Sequence, residues 1–239
     1  MRRLLIVAVL LLAANRANAT ISLVQHTNKD QSSAASSTTL AYGSNPAAND
    51  LLIVVVRGGS AITSITITDS IGNTWTNCTF HAVGGVAALQ ITYAVNSTNA
   101  ADTVTVTPSA STTMRLAIYE YSGTATTSPL DLELNTNTNS STTPAVTSQT
   151  PSANNELVFG AAATSNAAAE VWTAGTNFTL EDTVGANLTL GTEDWVQTTA
   201  TATTANFTIS ASDSWLAAIA IFKPASGGGA TPLKPPVVI

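Results

Sequence analysis

Residues 48–56 read ANDLLIVVV, and residues 153–161 read ANNELVFGA. In the first stretch every position from Leu51 to Val56 is apolar, so a strand built from it has no face that tolerates water. Such a strand belongs in the middle of a sheet that is covered on both sides. LAAIAIF (216–222) makes the same demand. These runs are too short for packed helices, and from Thr20 onward no window shows a capped helical period, whereas alternation of period two recurs throughout.

Working outward, the strand candidates are ISLVQ (21–25), LLIVVVR (51–57), SITITD (64–69), TWTNCTF (74–80), LQITYAV (89–95), DTVTVTP (102–108), RLAIYEY (115–121), ELVFGAA (156–162), FTLED (178–182), TLGTEDWVQ (189–197), ANFTIS (205–210) and WLAAIAIFK (215–223). Many short strands with polar turns predict an all-β, antiparallel sandwich. The Thr-rich stretch TTATATTANFTIS (198–210) is an outer strand and its approach, with β-branched threonine facing water and Phe207 and Ile209 turned inward. TVTVTPSASTTMRLAIYEY (103–121) and NFTISASDSWLAAIAIFK (206–223) echo each other as the first pair does, at offsets of roughly 101 to 106 residues. Two half-repeats sharing one core follow, with NTNTNSSTTPAVTSQTPS (135–152) as the crossover between them.

The two ends differ from this body. Arg2 and Arg3, an apolar run from Leu4 to Ala14 and Ala17-Asn18-Ala19 have the order of a secretory signal peptide, cleaved after Ala19. The run is too short for a membrane-spanning helix, which needs about 20 apolar residues. Residues 20–224 are then the sandwich domain, and residues 225–239, rich in Gly and Pro, a tail or linker. Without residues 1–19, five Lys and Arg face fourteen Asp and Glu, giving 5 − 14 = −9. That balance excludes nucleic acid as a partner, because phosphate neutralisation carries such affinity. Cys78 is the one cysteine, so the fold must hold without an internal disulfide.

DSIGNTWT (69–76), LAIYEYSG (116–123), SPLD (128–131), ANNELVFGA, WTAGTNFTLED (172–182) and WLAAIAIFKP (215–224) together resemble a jelly-roll, concanavalin-like β-sandwich module of secreted bacterial and phage-associated structural proteins. The resemblance spans about residues 21 to 224 and rests on turn and core signatures. It implies the fold and no particular activity.

Candidate sites are few. No GxSxG, HExxH, P-loop or CxxC motif occurs, and nothing implies a cofactor. The histidines His26 and His81 stand alone in sequence. Asp131 and Glu133 share one face of a strand, whereas Glu181-Asp182 and Glu193-Asp194 are adjacent and point to opposite faces. Trp195 shares its face with Glu193 and Gln197, and Trp75 shares its face with Asn77. An exposed indole beside polar groups is a platform for a sugar ring. Asp69 and Asn73 flank Gly72 in a spacing that suits either a tight turn or calcium. Glu120 lies on the apolar face of Leu116 and Ile118 and needs a partner, for which Arg57 is the candidate ion pair.

The leading expectation is a secreted, non-catalytic β-sandwich that binds extracellular polysaccharide or a cell-surface glycan. The alternative is a structural or assembly subunit that self-associates, and the third a glycoside hydrolase or lyase.

Overall fold

The computed structural model describes residues 20–136, 140–165, 170–187 and 189–226. Residues 1–19, expected as a signal peptide, and residues 227–239 of the expected tail lie outside them. The described chain is all-β, with every strand pair antiparallel. The first half contributes β1 (Ser22–Ala35), β2 (Thr38–Ala41), β3 (Leu51–Gly58), β4 (Ile65–Asp69), β5 (Thr76–Val83), β6 (Ala87–Val95), β7 (Thr103–Pro108) and β8 (Thr112–Ser122). The second contributes β9 (Leu130–Thr136), β10 (Ser140–Ser141), β11 (Glu156–Thr164), β12 (Trp172–Thr173), β13 (Thr179–Val184), β14 (Leu190–Gln197), β15 (Thr208–Ile209) and β16 (Asp213–Phe222).

Each half follows one plan. In the first, a five-stranded sheet runs β1-β8-β3-β6-β5 and a smaller sheet β2-β7-β4 covers one of its faces. In the second, β16-β11-β14-β13 repeats that order, with β9 beside β16 in the place of β1. Its cover is the β12-β15 pair. The register supports the echo seen in sequence. Leu51 pairs with Tyr121 and Leu157 with Phe222, which gives offsets of 157 − 51 = 106 and 222 − 121 = 101.

The five-stranded sheet of the first half packs face to face with the second half's sheet, which has six strands because the short β10 also pairs with β16, and alternation along the strands explains their all-apolar sequences. Leu51, Ile53 and Val55 of β3 point into a core shared with Leu157, Phe159 and Ala161 of β11. Leu52, Val54 and Val56 point the other way, into a core under β2-β7-β4. Val158 and Ala162 of β11 likewise enter a third core with Phe207, Ile209 and Trp172. The half-repeats therefore share one core, and each also has a core of its own. Phe207 and Ile209 are buried while Thr208 between them is exposed, as the Thr-rich stretch predicts.

The segment expected as the crossover belongs elsewhere. Residues 142–149 run beside 203–209, with Phe207 N donating to Pro144 O and Val146 N to Ala205 O. They extend the outer cover of the second half, because Val146 supplies that core with an apolar side chain. The chain passes from one half to the other at residues 123–129, where Gly123 turns with φ 78° against the backbone of Thr20.

Candidate functional site

The residues singled out in the sequence do not meet at one place. Glu193 is fully buried and Gln197 is 2% exposed, so they cannot flank Trp195 as a wet platform. Their face of β14 looks into the second half's own core, where the half-buried Trp195 ring meets Phe178 edge-on at 5.7 Å. Trp75 is half-buried too, and its Nε1 donates to Asp69 Oδ2 at 3.0 Å. Asn77 is exposed, but its Oδ1 accepts from Gln90 and Thr92. Asp69 Oδ1 accepts from the backbone N–H of Gly72 and Asn73, at 2.6 and 3.0 Å. Gly72 has φ 78°, so Asp69 is the cap of a tight turn. Asn73 is engaged with Asn96 and Ser97. The oxygens proposed for calcium are therefore already satisfied by protein donors.

The Arg57 to Glu120 pair is overturned by register. Arg57 stands opposite Arg115, whereas Glu120 stands opposite Leu52, five positions away along the ladder. Alternation also sends the two side chains to opposite faces of the sheet. Arg57 instead donates to Thr164 O at 3.1 Å, and burial together with Arg115 lowers its pKa to about 10. Glu120 faces the first half's own core, as the sequence implies, and accepts from Gln25 Nε2 and the Ala47 N–H.

A different constellation does assemble, where β1 and β8 of the first half face β13 and β14 of the second. His26 Nδ1 donates to Asp182 Oδ2 at 2.9 Å, Asn28 Nδ2 to Asp182 Oδ1 at 2.6 Å, and the Tyr119 hydroxyl to Asp182 Oδ2 at 2.7 Å. Having given its one proton to Asp182, the Tyr119 oxygen accepts from Thr192 at 2.6 Å. The Tyr121 hydroxyl donates to Asp194 Oδ2 at 2.7 Å. Asp194 is hydrogen-bonded in turn to Glu181, whose Oε2 lies 4.0 Å from His26 Nε2. The imidazole stacks over the Tyr119 ring at 5.8 Å and remains open to solvent on one side.

A β-bulge brings Glu181 there. Leu180 pairs with Glu193 and Asp182 with Thr192, leaving Glu181 as the extra residue. A bulge re-aims one side chain relative to strict alternation, so the adjacent acids 181 and 182 both reach the seam. Burial and the neighbouring Asp194 push Glu181 up to about 7, and burial raises Asp194 as well. Two carboxyl groups in hydrogen-bond contact hold one proton between them.

The first half has the same bulge and puts different chemistry in it. Asn77 pairs with Thr92 and Thr79 with Ile91, leaving Cys78 as the extra residue. By the offset of 101, Tyr93 stands for Asp194, Ala220 for Tyr119 and Phe222 for Tyr121. That seam closes with a buried thiol and an edge-on Tyr93–Phe222 contact at 5.4 Å. The fold is thus satisfied by apolar groups at this position, and the ionisable seam is an addition to it.

Hydrogen-bonded carboxyl pairs recur elsewhere. Asp50 is hydrogen-bonded to Glu120 and raised to about 6, by burial and by that partner. Glu156 is hydrogen-bonded to Asp131 and raised to about 7, again by burial first. Glu193 is raised to about 8, by burial first. Cations do little to offset these acids: Lys29 and Lys223 donate to the carbonyls of Thr39 and Ser128, and Arg115 pairs with Asp30 at 3.0 Å. Among the described residues no three His, Cys, Asp or Glu side chains converge as a metal shell. Compared with protein-family models, curated proteins and solved structures, the chain matches none of them.

Sequence reasoning missed the seam because Glu181 and Asp194 lie on different strands and a bulge joins them. The sequence does mark the other carboxyl pairs: an acid precedes both echoing core strands, Asp50 before LLIVVV and Glu156 before LVFGA. Both of these acids are hydrogen-bonded to another carboxyl.

Proposed function

We propose that the protein is a secreted, non-catalytic structural subunit that joins to a second copy of itself along β1. The observation that carries this reading is the outer edge of that strand. Fourteen residues long, β1 ends its sheet among the described residues, and from Gln25 to Gln31 it keeps unbroken register with β8. The other sheet-ending strands β5, β9 and β13 are shorter and are cut by bulges into briefer runs. Natural edges are blunted by outward charges, yet Lys29 is tied to Thr39 O and Asp30 to Arg115. Val24, beside this run, is 51% exposed. Two such edges pairing antiparallel form a continuous ten-stranded sheet about a two-fold axis.

The strand order 1-8-3-6 under a 2-7-4 cover fits a jelly roll, and the chain reads as two of them in tandem. Capsid and lectin domains both use that architecture, so it is compatible with assembly and with glycan binding alike. The glycan reading loses its supporting platform with the burial of Glu193 and Gln197. The hydrolase reading needs carboxyl groups roughly 5 to 9.5 Å apart across a substrate, whereas Glu181 and Asp194 bond to each other.

The test is light scattering of the chain from Thr20 at increasing concentration, beside Val24→Lys and Ser32→Lys, both exposed positions. Dimers that dissociate in the lysine variants, with unchanged melting temperature, support the proposal. A monomer at every concentration overturns it, and retention of that monomer on insoluble polysaccharide restores the glycan reading.

A further inference from the structure

The two halves meet along two seams of equivalent position, β1 against β13 and β9 against β5. One is built on Cys78, Tyr93, Ala220 and Phe222, with Glu133 exposed at its rim. The other is built on His26, Tyr119, Tyr121, Glu181, Asp182 and Asp194. In the ionisable seam the donors His26, Asn28, Tyr119 and Tyr121 all come from the first half. Their acceptors, Asp182 and Asp194, come from the second. Every one of these bonds therefore spans the junction between halves.

We propose that this seam is a proton-operated clasp, closed while Glu181 and Asp194 share a proton and loosened on the β1/β13 side when that proton leaves. The groups facing Glu181 fix the direction. Asp182 flanks it on its own strand, Asp194 faces it from β14, His26 faces it from β1, and the Tyr119 and Tyr121 hydroxyls approach from β8. Further along, Arg115 is held by Asp30. Loss of the shared proton places the carboxylates of Glu181, Asp182 and Asp194 against a single imidazole, and the tyrosine protons are already committed. Like charges at hydrogen-bond distance in a partly buried seam repel. Separation of β13 from β1 hydrates them. Among the described residues the opposite seam has no carboxyl group in its core, so it stays packed and serves as the hinge.

The sign follows from Glu181, which the folded state holds protonated up to about 7 against an ordinary 4.5. Folded and closed forms take up a proton in that interval, so closure is strongest in acid and weakens as pH rises through it. The inference does not depend on β1 self-pairing, because the clasp lies on the face of β1 and the proposed dimer on its edge.

Amide hydrogen exchange of the intact chain, corrected for intrinsic rates, tests it. Between pH 5 and pH 8, protection of β1 and β13 should fall by about tenfold or more, while β3 and β11 hold theirs. Glu181→Gln offers Asp194 a neutral partner without needing a proton and should flatten the change, and Asp194→Asn serves if that variant does not fold. Glu193→Gln, on the opposite face of β14, should leave the β1/β13 response in place. Equal loss in wild type and Glu181→Gln, or no loss in wild type, overturns the clasp.

Discussion

Glu193→Gln is expected to stabilise the protein in alkaline solution and leave it nearly unchanged in acid. Glu193 is fully buried beside Gly160 and Ala205, in the second half's own core. Its Oε2 accepts from the Gly175 N–H at 2.7 Å. Burial raises the carboxyl from 4.5 to about 8. The folded state thus keeps the proton up to about pH 8, whereas the unfolded chain releases it near 4.5. Stability from this group is complete below pH 4.5 and is lost as pH rises toward 8. The interval spans about 3.5 pH units, an upper bound of about 4.8 kcal/mol at about 1.36 kcal/mol per unit. Relaxation and water entry reduce this, so about 2–4 kcal/mol is the expected penalty at pH 9. Glutamine keeps the shape, the acceptor for Gly175 and neutrality at all pH. Urea unfolding at pH 5 and pH 9 reads the difference: a gain of about 2–4 kcal/mol at pH 9, and a change within about 1 kcal/mol at pH 5. Equal shifts at both pH values, or a variant less stable at pH 9, would show that Glu193 carries no such penalty.

Other outcomes follow from the same structure. Wild-type melting temperature should fall between pH 5 and pH 8, since Asp50, Glu156 and Glu181 are raised to about 6, 7 and 7 and add to Glu193; a temperature that rises across that range contradicts the shared-proton pairs. Ile53→Ala, at a fully buried position of the shared core, should cost about 2–5 kcal/mol, and calorimetry should show both halves destabilised together. Asp69→Ala removes the acceptor of Gly72, Asn73 and Trp75 and should lower stability by about 1–2 kcal/mol, while added calcium leaves the wild-type melting temperature unmoved. Intact-mass measurement on exported protein should give a chain beginning at Thr20; a species retaining Leu4 removes the secretion expectation.

The fold was legible where side-chain pattern alone carries the information. LLIVVV and LAAIAIF required two covered faces and received them, and the offsets of 101 and 106 reappear as ladder register. Pattern says nothing of which residue on one strand meets which on another. Arg57 and Glu120 were matched by chemistry, yet the antiparallel ladder set Arg57 beside Arg115. Bulges were equally silent. One at Cys78 sends Cys78 and Phe80 into different cores, although two-residue alternation puts both on one side. Another delivers Glu181 to the seam. Exposure of Trp195 was misjudged for a related reason: polar Glu193 and Gln197 suggest a wet face, but the β12/β15 cover lies over it.

The paired bulges at Cys78 and Glu181 carry a consequence for divergence. A dimer of one half alone has two symmetry-equivalent junctions, so any residue placed in one is placed in both. Three acids at a junction would then become six in one buried interface. Joining the halves through residues 123–129 lifts that constraint, because each junction is encoded separately. Linkage also replaces encounter between two chains by a short tether, which raises effective concentration and tolerates a weaker interface. A charged junction is affordable only in a fused pair, where its apolar counterpart keeps the halves together.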